Sequence, residues 1–370
     1  MASMFFYWHS LFCEPVFGML QKESMAAGGG RRLAGGHANT VLTIAASTGA
    51  DVRLISGAEN GELCVWSVDG ACHHRWQIPD ADGDVTSVAC SNICSDLFYV
   101  ACGVKIYSYD LRNLASYARS YEFNEEEINE ITLNEKENFL AAAEDSNNIK
   151  IINLTESKVF KTLRKHTNIC SAVRFRPHRL WELLSGGYDS KLIQWDFGKS
   201  RAYCIMDMQE LGCVAEELDS YLVNPPFVHS IAVSTTGNTV AVGTENALVQ
   251  VFDASKRTLQ LCHTLRAHTQ GVSQVHCPAF APDKFAVSGG NDGRICVWDL
   301  ECSSSNSVVT NGCLSSDGQA VSSSGVPSAL ACEITHTEKI NWITCASSSN
   351  RNYIVVGDNT ANPILFPFPV

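Results

Sequence analysis

Three segments of this sequence repeat one pattern, and this repeat restricts the fold more than any other feature. They are SGAENGELCVWS (56–67), SGGYDSKLIQWD (185–196) and SGGNDGRICVWD (288–299). Each contains the end of one strand, a tight turn rich in Gly, Asn and Asp, and a second strand that alternates towards a Trp, which is the pattern of a β-hairpin. A hairpin copied along a chain indicates a fold built from repeated supersecondary units.

Weaker copies fill the gaps between these segments. The position that closes each copy recurs at intervals of 43, 43, 43, 57, 46 and 68 residues. The residues at this position are Trp66, Tyr109, Ile152, Trp195, Phe252, Trp298 and Phe366. A period in the low forties is typical of a four-stranded propeller blade. The seven copies therefore predict an all-β fold, a seven-bladed β-propeller over residues 31–370.

A start that contains His and an end in Trp-Asp make this unit resemble the WD-repeat family. The start is Gly36-His37 in the first copy, with weaker forms at Lys165-His166, Val228-His229, Ala267-His268 and Thr335-His336. The resemblance implies a buried hydrogen-bond network of His, Ser, Asp and Trp within a blade. The matching sets are His166, Ser185, Asp189 and Trp195; His268, Ser288, Asp292 and Trp298; and His37, Ser56 and Trp66, with Asn60 at the Asp position.

The irregular regions are predicted from their composition. Residues 1–30 have no repeat and are predicted to be a flexible leader, whereas residues near 31–35 are expected to complete the seventh blade and so cover an edge strand. An acidic insertion is predicted at about 206–226 and a Ser-rich loop at 303–330. Both insertions are expected between the last strand of one blade and the first strand of the next.

Composition argues against several functions. The net charge of −12 disfavours direct nucleic-acid binding, which needs a basic surface. The 16 cysteines lack the spacing of metal ligands. We therefore expect them to be reduced core residues of a protein of the cytoplasm or nucleus. We expect no metal or other cofactor. No apolar stretch is long enough to span a membrane. We expect a monomeric propeller that binds other proteins.

The set His268, Ser288 and Asp292 contains the residue types of a hydrolase triad. The same set recurs with the blade and always comes with a Trp, which a buried network needs and a nucleophile does not. The sequence also lacks the motifs of nucleotide binding, of a serine nucleophile elbow and of zinc proteases. We therefore predict that the protein is not an enzyme.

The segment RFRPHRLW (174–181) is a local basic patch. Strand alternation predicts that Val173 and Phe175 are buried and that Arg174, Arg176 and Arg179 are exposed.

The second copy ends in IYSYDLRN (106–113), and its Arg112 has no cationic counterpart. The equivalent positions hold Asp69, Thr155, Gly198, Ser255, Glu301 and Phe368 or its neighbour. This strand end resembles the box of WD-repeat substrate receptors of cullin-4 RING ubiquitin ligases, which dock on the damaged-DNA-binding adaptor protein. The resemblance implies that Tyr109, Asp110 and Arg112 bind that adaptor.

The sequence thus predicts a non-enzymatic interaction scaffold, with two hypotheses for its partner. The first is a ligase substrate receptor that docks through the second blade. The second is a recognition module for basic peptides such as histone tails, which acidic side chains and the propeller mouth would attract. The acidic residues are Asp207, Glu210, Glu216, Glu217 and Asp219.

Overall fold

The repeats form seven antiparallel sheets of four strands each in the computed structural model. The structure describes residues 29–49, 51–79, 81–212, 224–301, 329–348 and 351–369. The first strands of neighbouring sheets contact each other, and the first strand of the seventh sheet also contacts that of the first sheet. The sheets are therefore the blades of a closed ring, and the predicted seven-bladed propeller is confirmed.

The strands follow one another within each blade from the centre of the ring to its outside. Blades one to four contain β2 (Val41–Ala46), β3 (Arg53–Ala58), β4 (Glu62–Ser67), β5 (Cys72–Gln77); β6 (Val85–Cys90), β7 (Leu97–Cys102), β8 (Lys105–Asp110), β9 (Arg119–Tyr121); β10 (Ile128–Leu133), β11 (Phe139–Glu144), β12 (Asn148–Asn153), β13 (Lys158–Arg164); β14 (Cys170–Phe175), β15 (Glu182–Gly187), β16 (Lys191–Asp196), β17 (Arg201–Asp207). Blades five to seven contain β18 (Val228–Val233), β19 (Thr239–Thr244), β20 (Leu248–Asp253), β21 (Gln260–Arg266); β22 (Val272–His276), β23 (Phe285–Gly290), β24 (Arg294–Asp299), β25 (Leu330–Thr335); β26 (Ile340–Ser348), β27 (Arg351–Asp358), β28 (Ile364–Pro367) and β1 (Arg31–Arg32).

Helices are few in the described part of the chain. Two short 3-10 turns cover Glu59–Gly61 and Phe197–Lys199, and one helix, α1, covers Met208–Gly212. None of the helices in these ranges has the length and apolar character needed to cross a membrane.

The ring is closed by the start of the chain. Strand β1 is the outermost strand of blade seven, where Arg31 pairs with Leu365 and Arg32 with Ile364. The following Leu33 is buried and its backbone N–H donates to Pro363 O at 2.7 Å. As expected, this pairing covers an edge that β28 would otherwise expose.

Glycines let neighbouring blades approach closely. A Cβ at Gly57 would lie 2.1 Å from Val85 of the next blade, and a Cβ at Gly186 would lie 2.2 Å from Val228. The second strands carry these glycines because both faces of a blade pack against other blades and leave no room for a side chain.

Polar side chains on the first strands tie the blades together around the centre. Asn129 donates to Cys170 O at 3.1 Å, Ser273 to Ile340 O at 2.5 Å and Asn341 to Val41 O at 3.0 Å. Each bond joins the second residue of one first strand to the first residue of the next, so the inner ring is held by hydrogen bonds as well as by apolar packing.

The predicted position of the Ser-rich loop was wrong. Strand β25 pairs with β24, with Arg294 opposite Thr335, so residues 302–328 connect the third and fourth strands of blade six and do not join two blades. These residues themselves lie outside the described part of the chain. The fourth strand of blade six ends at Thr335, directly before His336, which starts the next copy. The additional residues of this copy therefore come before its fourth strand in the sequence.

Candidate functional site

The predicted hydrogen-bond network is present in blade four. Trp195 Nε1 donates to Ser185 Oγ at 2.8 Å, and Ser185 Oγ lies 2.7 Å from His166 Nε2. Because the indole N–H can only donate, the Ser hydroxyl accepts from it and gives its own hydrogen to Nε2. Nδ1–H then donates to Asp189 at 3.0 Å, and Asp189 also accepts from Thr167 N.

Blade six repeats the same arrangement. Trp298 Nε1 lies 2.8 Å from Ser288 Oγ, which lies 2.8 Å from His268 Nε2, and Nδ1 of this ring lies 3.1 Å from Asp292. Both Ser185 and Ser288 have 0% exposure. A substrate cannot reach these hydroxyls, so the network is part of the core and not a hydrolytic site.

Burial opposes the ionisation of the network aspartates, but hydrogen bonds outweigh it. The bonds from His166 and from Thr167 N lower the pKa of Asp189, and those from His268 and Thr269 N do the same for the pKa of Asp292. Both side chains therefore remain carboxylates in the folded protein at neutral pH.

Blade one completes its network with a residue that the sequence pattern missed. His37 Nε2 and Trp66 Nε1 lie 2.6 and 2.7 Å from Ser56 Oγ, as predicted, but His37 Nδ1 lies 3.3 Å from Glu62. Asn60 takes a left-handed conformation in the turn, with φ of 60°, and the longer Glu side chain reaches the ring from the start of β4.

The assignment of His229 as the start of blade five was wrong. His37, His166, His268 and His336 each stand four residues before the first residue of a first strand, whereas His229 lies inside β18. The equivalent residue is Asn224, which donates to Glu245 Oε1 at 3.0 Å. The constant offset of four residues from the strand start is the signal that would have located it.

Burial of His37 predicts a pH-dependent stability. Burial is the largest cause that lowers the pKa of His37 from 6.5 to about 4, although Glu62 acts in the opposite direction. Between these values the unfolded chain binds a proton that the folded protein does not, so stability falls as the pH falls. The loss approaches about 3 kcal/mol near pH 4.

A His37→Gln variant tests this expectation through urea unfolding at neutral pH and near pH 4. The advantage of the wild-type protein over the variant should shrink at the lower pH, since only the wild type carries the titrating ring. An advantage that stays constant between the two conditions would contradict the assignment.

The predicted exposure of the basic patch was wrong for Arg176. Its side chain is 1% exposed, and its guanidinium donates to Gly237 O at 2.9 Å, to Glu182 at 2.7 Å and to Ala254 O. Gly237 and Ala254 belong to blade five, so this side chain joins two blades. A cation can be buried here because carbonyl and carboxylate oxygens replace water.

The other side chains of this segment differ in their surroundings. Arg174 is 25% exposed and pairs with Glu130 at 2.5 Å, whereas Arg179 is exposed as predicted. Val173 and Phe175 are buried, so the alternation itself is confirmed.

Arg112 lies at the surface on the turn between the third and fourth strands of blade two. Its side chain is 70% exposed. Nε donates to Asp110 Oδ1 at 2.9 Å and Nη2 to Asp110 Oδ2 at 2.5 Å, while Asp96 lies 3.6 Å from Nε. This two-point contact fixes the plane of the guanidinium. Within the described ranges Nη1 has no hydrogen-bond partner, so two N–H groups face solvent.

Asp110 also shapes the backbone of this turn. Its Oδ1 accepts from Arg112 N at 2.9 Å, and Asn153, Asp253 and Asp299 cap the equivalent turns of other blades in the same way. The side-chain hydrogen bond from Arg112 is the largest cause that lowers the pKa of Asp110 to about 2, followed by the backbone bond. A capping Asp or Asn is thus common to several blades, and Arg112 is the residue that distinguishes the turn of blade two.

Tyr109 has a different role from its neighbours. It has 0% exposure and stacks on Phe98, with ring centroids 5.6 Å apart and planes at 16°. A partner cannot contact this ring, so Tyr109 can act only by holding the end of β8 in place.

A cavity of about 340 Å³ lies beside Arg112 between blades one and two. Besides Arg112, its lining includes Arg53, His73, Leu111 and Leu114. A partner that reaches the guanidinium can therefore place a side chain against a mixed polar and apolar wall.

The predicted acidic site is only partly described. Asp207 is the last residue of β17 and accepts from Gln209 N at 2.9 Å, and Glu210 is exposed on α1. Glu216, Glu217 and Asp219 lie outside the described residues. A cavity of about 240 Å³ between the first strands contains Glu130, which is already paired with Arg174. The basic-peptide hypothesis therefore stays a prediction.

Comparisons with known proteins agree with this architecture. The family model of the WD domain, G-beta repeat, matches residues 157–196, and the Vps8 beta-propeller model matches residues 204–329. The chain is 28% identical over 346 residues to the WD repeat-containing protein 53 homolog of Dictyostelium discoideum, which covers 87% of this chain and 90% of that relative.

Two further relatives match smaller parts of their own length. Periodic tryptophan protein 2 of Arabidopsis thaliana is 27% identical over 177 residues, covering 47% of this chain and 17% of the relative. Ribosome biogenesis protein YTM1 of Phaeosphaeria nodorum is 25% identical over 287 residues, with 67% and 57% covered.

Proposed function

We propose that this chain, a seven-bladed β-propeller whose residues 157–196 match the WD-repeat family model, is a substrate receptor that docks on the adaptor protein of a cullin-4 RING ubiquitin ligase. WD-repeat propellers are typically non-enzymatic scaffolds for protein interaction. The choice of this adaptor rests on the strand end Tyr109-Asp110-Leu111-Arg112.

The orientation of Arg112 is the observation that supports this docking site most strongly. Asp110 holds the guanidinium from one side, so that Nη1 points away from the turn without a partner among the described residues. An arginine that is already oriented loses less conformational entropy when it binds a carboxylate or a carbonyl group. Arginines of this kind are frequent among the residues that contribute most to protein interfaces.

The neighbouring cavity gives such an interface a place for apolar contact. Leu111 and Leu114 pack against the core of blade two and also line the cavity beside Arg112. An interface centred on these three residues would combine one charged anchor with apolar burial, which is the usual composition of a stable contact.

Replacing Arg112 with Ala is expected to weaken adaptor binding by roughly tenfold or more, because the anchor and its two free N–H groups are lost. The measurement is surface plasmon resonance of the full-length chain on immobilised purified adaptor. Lys256→Ala is the matched control, since Lys256 is an exposed cation in the turn between the third and fourth strands of blade five.

A second variant separates docking from folding. Asp110→Asn keeps an oxygen for the backbone cap but removes the ion pair, so it should weaken binding less than Arg112→Ala. Equal affinity of the wild type and Arg112→Ala, with both proteins folded by circular dichroism, would remove blade two from the docking site. Failure of the wild type to bind the adaptor would exclude the receptor function itself.

A further inference from the structure

A second cavity, of about 310 Å³, lies on the turns of blades four and five and combines exposed apolar side chains with basic ones. Leu180 is 53% exposed and Trp181 is 42% exposed, and both belong to the turn between β14 and β15. Large apolar side chains that adjoin in sequence and stay exposed are candidates for contact with a partner.

Trp181 is fixed in place from behind. Its ring lies 5.2 Å from Phe197, 6.0 Å from Phe139 and 6.3 Å from Phe160, measured between ring centroids. Phe139 and Phe197 are buried, so one side of the indole packs on the core while its remaining surface lines the cavity. A rigid aromatic side chain binds with little loss of conformational entropy.

Three arginines of the cavity lining carry charge that no acid among the described residues neutralises. Within the described ranges, Arg179, Arg201 and Arg257 have no carboxylate within 4 Å. Arg179 donates only to the Ser255 carbonyl at 3.3 Å, and Arg257 lies over the ring of Tyr203 at 5.8 Å. Such guanidinium groups can bind carboxylates of a partner without breaking an existing ion pair.

The two acids of the same lining are already engaged. Glu182 pairs with the buried Arg176 at 2.7 Å, and Asp196 lies 3.6 Å from Lys199 and accepts from its backbone N–H. The cavity is therefore locally positive, although the whole chain has a net charge of −12. This contrast favours an acidic partner.

We propose that this cavity binds an acidic peptide segment that carries a bulky apolar residue. The apolar side chain would lie against Leu180 and Trp181, and the flanking carboxylates would bind Arg201 and Arg257. This site is distinct from the adaptor site, because Arg112 belongs to blade two and lines another cavity. It therefore does not depend on the proposed ligase function.

Fluorescence anisotropy with the full chain and a labelled peptide of Glu residues around a central Leu pair tests this proposal. The acidic peptide should bind, and a peptide with Lys in place of Glu should not. The double variant Arg201→Glu/Arg257→Glu should weaken binding by at least tenfold, because each reversed charge repels the peptide. Raising the salt concentration should weaken wild-type binding as well.

Two controls make the result specific. Arg351→Glu makes one such charge reversal at an exposed residue of blade seven and should leave affinity unchanged. Trp181→Ala should weaken binding of the Leu-containing peptide more than binding of an all-Glu peptide. No binding of the acidic peptide, or equal binding by the double variant, would overturn the proposal. Binding to phosphatidylserine vesicles without binding to the peptide would also overturn it, since it would assign the cavity to a membrane surface.

Discussion

Replacing Arg176 with Ala is expected to lower the free energy of unfolding by about 3–5 kcal/mol. The buried guanidinium satisfies Glu182 and the carbonyl groups of Gly237 and Ala254, all three of which lose their partner in the variant. A buried acceptor without a partner costs the full loss of its hydration, which exceeds the net value of the hydrogen bond itself. Urea unfolding followed by Trp fluorescence measures the effect.

Arg179→Ala is the matched control for this prediction. Arg179 stands three residues further along the same segment and is exposed, and among the described residues its side chain bonds only to the Ser255 carbonyl. Its replacement should change stability by no more than about 0.5 kcal/mol. Comparable losses in the two variants would show that Arg176 does not join blades four and five as the structure indicates.

The blade count could be predicted because each blade is encoded locally. All seven predicted closing positions lie on the third strand of a blade, from Trp66 on β4 to Phe366 on β28. The weak copy at Ile152 keeps this place because an apolar side chain at that position fills the same space between strands.

The acids of the blade networks could not all be predicted from spacing. Asp189 and Asp292 stand four residues after the network Ser, but Glu62 reaches His37 from the next strand. In blade three, Glu144 accepts from Asn124 at 2.9 Å, from the last position of β11. A carboxylate can pair with the ring from any position that its side chain reaches with suitable geometry, so side-chain length can replace a fixed offset.

The contacts between blades were even harder to predict from the repeat than the networks within a blade. Arg176 joins blades four and five, whereas Asp283 joins blades five and six by accepting from Ser234, Thr236 and Thr239 at 2.6 Å each. Glu137 accepts from Asn92 N at 2.5 Å at another junction. These contacts have similar places but different chemistry, and a repeat search detects only what is the same in every copy.

This difference explains why Arg176 and Arg112 could not be distinguished by their sequence context. Both follow the end of a strand, Arg176 directly after Phe175 and Arg112 two residues after Asp110. Arg176 is enclosed because blade five presents two carbonyl groups to it, and Arg112 is exposed because its partners Asp96 and Asp110 belong to its own blade. The surroundings supplied by the next blade therefore decide whether an arginine holds the ring together or remains available to a partner.

Replacing Trp195 with Ala is expected to lower the free energy of unfolding by about 3–5 kcal/mol, the range for removing a buried aromatic side chain. The indole is 1% exposed, fills the core between blades three and four, and donates to Ser185 Oγ at 2.8 Å. The variant therefore creates a cavity and also removes a hydrogen bond from the network of His166 and Asp189.

A Trp195→Phe variant separates these two contributions. Phe retains most of the buried volume but has no N–H. The Phe variant should therefore lower the free energy of unfolding by less than the Ala variant, but still by more than about 1 kcal/mol. Trp181→Ala in the same blade is the control for losing an indole, and because Trp181 is 42% exposed it should destabilise the protein less than Trp195→Ala. Equal unfolding midpoints in urea for Trp195→Ala and Trp181→Ala would mean that the buried network does not stabilise blade four. The presence of His, Ser and Asp beside Trp195 would then need another explanation.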